Sequence, residues 1–182
     1  MPKKNDTLDQ AKKGKNDEFY TQYEDIQNEI NAYLEYNPET FKNKTVLLPC
    51  DDPEWSNFTR FFAQNFELLG LKKLISTSYA TESKNKKVKN GYQFTLFDFL
   101  TDFEKESPKY NEEITTEKGK IFILERDTNN SGNIDIDDLE WDYLDGDGDF
   151  MSEEVTKLRD EADIIVTNPP FSLFNEFIVW LN

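Results

Sequence analysis

Ala162-Asp163-Ile164-Ile165-Val166-Thr167-Asn168-Pro169-Pro170-Phe171 decides the architecture. Its centre, Ile164 to Val166, is an unbroken apolar run, the pattern of a parallel strand buried on both faces. Two prolines then stop the strand, and a helix is expected from Ser172 onward. In open α/β sheets ligands bind at the carboxyl ends of such strands. Successive prolines remove two N–H donors and leave carbonyl oxygens to face a ligand. Asn168 adds a side-chain acceptor and Phe171 an aromatic plane. Acceptors beside a plane suit a flat base that carries an exocyclic amine. A plain proline turn over a buried Phe is the competing reading. The position between strand and helix favours a site.

Upstream segments fit the same architecture. Thr45-Val46-Leu47-Leu48-Pro49-Cys50 reads as a buried strand that ends in the loop Asp51-Asp52-Pro53-Glu54. A helix follows with Phe58, Phe61, Phe62, Phe66 and Leu69 on one face, and Gly70 is a natural stop. Lys73-Leu74-Ile75-Ser76-Thr77-Ser78 is the next strand. Strand, helix, strand over 45–78 predicts a parallel βαβ unit. Before it, Thr21 and Glu24 have capping-box spacing, and Ile26, Ile30, Tyr33 and Leu34 share a helical face that Pro38 closes. Residues 91–100 alternate partly, as a hairpin strand does, and 102–118 read as a polar loop. Lys120 to Leu124 is a strand. Ser152 starts a helix carrying Val155, Leu158 and Ala162 on one side.

Composition narrows the chemistry. The 182 residues hold no His and one Cys, against 37 acids and 21 bases, for a net charge of −16. A Ser-His-Asp triad, a Cys-His pair and a His-ligated zinc are excluded. The lone Cys50 forms no internal disulfide, and a reducing, cytoplasmic setting is expected. No apolar run spans a membrane, and the lysine-rich start is no secretory signal. Residues 125–163 carry 15 acids against three bases. The rest is close to neutral, so the net charge does not exclude a DNA partner. Residues 1–15 read as a flexible basic arm. Residues 16–182 read as one catalytic unit with an acidic insertion around 125–149.

Four segments together resemble one family. They are Asn16-Asp17-Glu18-Phe19-Tyr20-Thr21-Gln22-Tyr23-Glu24-Asp25-Ile26, Leu48-Pro49-Cys50-Asp51-Asp52-Pro53-Glu54-Trp55-Ser56-Asn57-Phe58, Gly148-Asp149-Phe150, and the run through Asn168-Pro169-Pro170-Phe171. They are similar, in that order, to the EcoRI-type adenine-specific DNA methyltransferases. The resemblance implies a Rossmann-like α/β fold with a mostly parallel sheet, truncated after the Asn-Pro-Pro-Phe motif. It implies methyl transfer from S-adenosylmethionine to N6 of an adenine flipped out of duplex DNA, in a restriction-modification system. Asn168, Pro169, Pro170 and Phe171 would hold the base. Phe19, Tyr20, Thr21, Cys50, Asp51, Asp52, Asp149 and Phe150 would hold the cofactor. The Gly-rich loop that related enzymes place after the first strand is missing here, as it is in the EcoRI-type pattern. Family members continue well beyond Phe171. The chain is therefore expected to be an N-terminal portion with little activity alone, its DNA-gripping surface lying in the remainder or on a complementing second chain.

One motif competes. Asp127, Asn129, Ser131, Gly132, Asp135 and Asp138 fall at positions 1, 3, 5, 6, 9 and 12 of a calcium loop. A strand precedes them where an EF-hand has a helix, and Asp stands for the bidentate Glu. A non-catalytic, calcium-braced binding module is thus the alternative function, with no metal assigned to the methyltransferase site. RNA or protein methylation is a third reading.

Overall fold

The computed structural model describes residues 21–49, 51, 56–80, 106–169 and 173–182. The basic arm, the hairpin strand expected at 91–100, and Phe19, Tyr20, Cys50, Asp52, Pro170 and Phe171 lie outside the described residues. The elements run α1 (Tyr23–Tyr36), β1 (Thr45–Leu48), α2 (Asn57–Gln64), α3 (Phe66–Leu69), β2 (Lys73–Ser78), α4 (Glu112–Glu117), β3 (Lys120–Leu124), a 3₁₀ turn (Ile136–Asp138), β4 (Glu140–Tyr143), α5 (Glu153–Glu161), β5 (Ile164–Ile165) and α6 (Phe174–Leu181).

The five strands form one sheet in the order β4-β3-β2-β1-β5. β1 lies parallel to β2, with Leu48 opposite Ser76, and parallel to β5, with Leu47 opposite Ile165. The βαβ unit at 45–78 is as expected. The mostly parallel sheet is not: β3 runs antiparallel to β2, and β4 antiparallel to β3. β1 is buried at every residue, whereas β3 alternates between buried and half-buried and so belongs to a one-sided antiparallel edge. Lys120-Ile121-Phe122-Ile123-Leu124 hides that alternation because Ile occupies its more open face. β5 spans only two residues, both half-buried, and is the outer strand among the described residues, not a fully buried central one.

Helices cover both faces. Ile26, Ile30, Phe61, Phe62 and Phe66 pack with Val46, Leu48, Leu74 and Phe122 on one side. Val155, Phe177 and Trp180 pack with Leu47, Ile75 and Phe150 on the other. The alternation of side chains along β1 and β2 makes this division. Helix ends differ in detail from the expected caps. Gln22, not Thr21, is the N-cap of α1 and makes no side-chain cap bond. Ser56 caps α2 by accepting from Phe58 N and Thr59 N. Asn65 separates α2 from α3, and Gly70 ends α3 at φ 64°. α4, capped by Asn111, lies inside the stretch expected to be a loop.

Candidate active site

β2 leads away from β1 on one side and β5 flanks it on the other, so the crevice of an open sheet falls at their carboxyl ends. Several backbone and hydroxyl bonds build the local geometry. Val166 N donates to Leu47 O at 3.0 Å, extending the β1–β5 pairing past β5. Thr167 Oγ1 then donates to Pro49 O at 2.9 Å. This fixes the residue directly before Asn168 to the residue directly after β1. Asn168 and Pro169 are half-buried there.

Asp51 is held from two sides. Its carboxylate Oδ1 accepts from Ser56 Oγ at 2.8 Å. Its backbone oxygen accepts from Thr59 Oγ1 at 2.9 Å and lies in hydrogen-bond contact with Ser76 Oγ. Asn57, at the start of α2, donates from Nδ2 to Thr21 O at 2.8 Å, which brings the segment before α1 to the same end.

The acidic loop 145–149 reaches the carboxyl end of β2. Ala80 N donates to Asp147 O at 2.8 Å. Gly148 adopts φ +87°, and a Cβ there would lie 2.3 Å from Ser78 O. A Cβ on Gly119 would lie 2.5 Å from the same oxygen and 2.6 Å from Gly148 Cα. Two glycines thus permit a close three-way backbone approach. Asp149 is half-buried and accepts from Met151 N at 2.8 Å through Oδ1. Phe150 is 0% exposed, with its ring 5.3 Å from Phe177 and 5.5 Å from Trp180. Its ring belongs to the core beneath the loop. Ser78 Oγ is buried without a hydrogen-bond partner among the described residues.

Of the expected site residues, Thr21, Asp51, Asp149, Phe150, Asn168 and Pro169 are thus all on segments that adjoin one sheet edge. The hydroxyls of Ser56, Thr59, Ser76 and Thr167 were not singled out from sequence. Ser56 caps α2, Thr59 lies within α2, Ser76 within β2 and Thr167 just after β5; buried hydroxyls at such positions need partners. Asp163, within the strand motif, serves the opposite edge. Its Oδ2 accepts from Thr45 N at 2.8 Å and its Oδ1 from Lys44 Nζ at 3.2 Å. The Thr45 N–H, then Lys44, hold its carboxyl below the usual carboxylate range.

The calcium-like loop closes on itself. Asp138, at position 12, is 1% exposed. Its Oδ1 accepts from Thr128 N, Thr128 Oγ1 and Asn129 N, and its Oδ2 from Asp135 N at 3.0 Å. Burial pushes this carboxyl up, but the four hydrogen bonds together outweigh it and hold it below its ordinary value. Asp127 accepts from Ser131 N and Gly132 N. Among the described residues no group of three or more acids or thiols gathers as a metal site. Nor is any described helix long and apolar enough to cross a membrane.

Known proteins match the sequence over nearly the whole chain. The family model described as adenine-specific methyltransferase EcoRI matches residues 7–182. The Type II methyltransferase M.EcoRI of Escherichia coli is 40% identical over 178 residues, covering 96% of this chain and 44% of that protein. The Type II methyltransferase M.MpnI of Mycoplasma pneumoniae is 34% identical, covering 96% of this chain and 40% of that protein. M.MgeORF184P of Mycoplasma genitalium is 35% identical, with 94% and 39% covered. The chain therefore spans less than half the length of these relatives. No solved structure matches it. The four motifs in order, the place of their described residues at the carboxyl ends of the parallel strands and the match over residues 7–182 lead to one assignment: the chain belongs to the EcoRI family of adenine-specific methyltransferases.

Proposed function

We propose that this chain carries the cofactor-binding and base-binding portion of an adenine-specific DNA methyltransferase of a restriction-modification system. The observation that carries the reading is the convergence around Thr21, Asp51, Asp149 and Asn168. These residues are far apart in sequence, yet their segments adjoin the carboxyl ends of β2, β1 and β5. The donor set fits S-adenosylmethionine. The carboxylates of Asp51 and Asp149 match its amino group and ribose hydroxyls, and the buried Ser78 hydroxyl sits at the end of β2. Phe19, Tyr20, Cys50 and Asp52 complete the cofactor side in this reading. At position 150 the contact falls to the backbone, since the ring is in the core.

S-adenosylmethionine supplies a methyl group on a sulfonium centre. The chain's own contribution is placement. The Asn168 side-chain oxygen and the Pro169 carbonyl accept the two hydrogens of the adenine amine and aim its nitrogen toward the cofactor side. Pro170 stiffens this turn and Phe171 stacks on the flipped base. Fixed acceptors in a water-poor crevice lower the barrier through orientation and electrostatics. The main DNA-gripping surface lies, in this reading, in the part of the family that this chain does not span, on the same or a complementing chain. The test is transfer of a labelled methyl group to duplex DNA. The assay is run with and without a polypeptide covering the rest of the E. coli relative. N6-methyladenine should form, and Asn168→Ala should abolish it. Label on cytosine, RNA or protein, or unchanged transfer by Asn168→Ala, would overturn the reading.

A further inference from the structure

A pair of buried hydroxyls outside every motif carries one more inference, which rests on the reading of this edge as the cofactor side. Thr59 is 0% exposed and Ser76 is 1% exposed. Their oxygens lie 3.0 Å apart, and both contact the backbone oxygen of Asp51. Thr59 comes from α2 and Ser76 from β2, so Asp51 is gripped by the helix that follows it and by the strand beside β1. The Ser56 hydroxyl holds the Asp51 carboxylate from a third direction while capping α2. No apolar residue at 59 or 76 could do this, and a buried carbonyl left without a donor is costly.

We infer that Thr59 and Ser76 are positioning residues for the cofactor: they fix the carbonyl of Asp51 and thereby the aim of its carboxylate. Neither touches the ligand. Thr59→Val keeps shape and removes the hydroxyl, Thr59→Ser keeps the hydroxyl, and Ser76→Ala removes the second donor. The probe is S-adenosylmethionine, titrated calorimetrically into the 182-residue chain. Thr59→Val and Ser76→Ala should each weaken binding about tenfold, which corresponds to about 1.4 kcal/mol. Thr59→Ser should restore affinity close to the parent. The double variant should lose less than the product of the single losses, because both hydroxyls serve one oxygen. Thermal melts of each variant separate a folding defect from a binding one. Saturable binding by the parent with equal affinity in folded Thr59→Val and Ser76→Ala would overturn this inference alone. Equal loss in Thr59→Ser and Thr59→Val would overturn it as well. Absence of binding by the folded parent would remove the cofactor reading and this inference with it.

Discussion

Replacing Gly148 by alanine tests whether the acidic loop is seated on β2 as described. The new Cβ would lie 2.3 Å from Ser78 O, 3.0 Å from Ser78 C and 3.1 Å from Tyr79 Cα. All three are backbone atoms in or beside a strand, so no side chain can swing aside. Overpacking of this kind costs about 1–3 kcal/mol. The left-handed backbone, at φ +87°, adds about 1–2 kcal/mol for a residue with a Cβ. Together Gly148→Ala should destabilise by about 2–5 kcal/mol, a large share of the stability of an ordinary domain. Urea unfolding followed by circular dichroism reads the midpoint and slope. Two neighbours on the same scale separate the causes. Gly132 has φ +95° but nothing within 4 Å, so Gly132→Ala should show only the backbone cost, about 1–2 kcal/mol. Gly146 has nothing within 4 Å, and Gly146→Ala should stay within about 0.5 kcal/mol of the parent. A Gly148→Ala chain no less stable than Gly132→Ala would refute the close approach. If the loop instead shifts to relieve the clash, Asp149 moves off the end of β2, and cofactor affinity should fall even where stability is partly recovered.

Phe150→Ala should cost about 3–5 kcal/mol in the same unfolding assay, since the ring is fully buried against Phe177 and Trp180; a change under 1 kcal/mol, by about that scale, would contradict the packing. Stability should fall as acid is added. Asp138 and Asp163 both titrate below their ordinary values when folded. Their contribution is therefore present above the ordinary carboxylate range and lost as pH falls through the lowered values. Unfolding midpoints measured from neutral pH to about pH 3 should drop on the acid side, and Asp138→Asn should flatten that drop; parallel curves for parent and variant would refute the assignment. Thr167→Val removes the bond to Pro49 O that precedes Asn168. It should lower the rate of methyl transfer more than it alters the affinity for S-adenosylmethionine, as kinetics with and without saturating cofactor would reveal.

Helical spacing of large apolar residues exposed α1, α2 and α3, and an unbroken apolar run exposed β1, which is buried at every residue; α4 escaped because Glu112 to Glu117 is nearly all polar. Phe61, Phe62, Phe66 and Leu69 are buried as their spacing demanded. β3 was legible as a strand at residues 120–124, but its direction was not: its more open face carries Ile121 and Ile123, which look like core residues. β4 escaped notice because Glu140-Trp141-Asp142-Tyr143 sits in an acidic stretch whose charge masks a period-2 pattern. Trp141 is buried while Glu140 and Asp142 are exposed. The motif residues were legible as types, and the carboxyl ends of the parallel strands were legible as the edge where ligands bind; the strand order was not, since β3 and β4 run antiparallel and β5 is the outer strand among the described residues. The hydroxyl network was not, since a Ser or Thr declares its partner only once helix and strand are docked. The same holds for Asp138, legible as position 12 of a calcium-like loop, whose oxygens accept backbone and hydroxyl donors that close the loop.

Calorimetric titration of S-adenosylmethionine into the purified chain, with and without calcium, decides whether the carboxyl edge of β2, β1 and β5 holds that cofactor. Binding should be saturable at one site, unaffected by calcium or chelator and weakened in Asp51→Ala and Asp149→Ala. A folded chain that takes up no cofactor, and whose melting temperature rises only when calcium is added, would contradict this assignment.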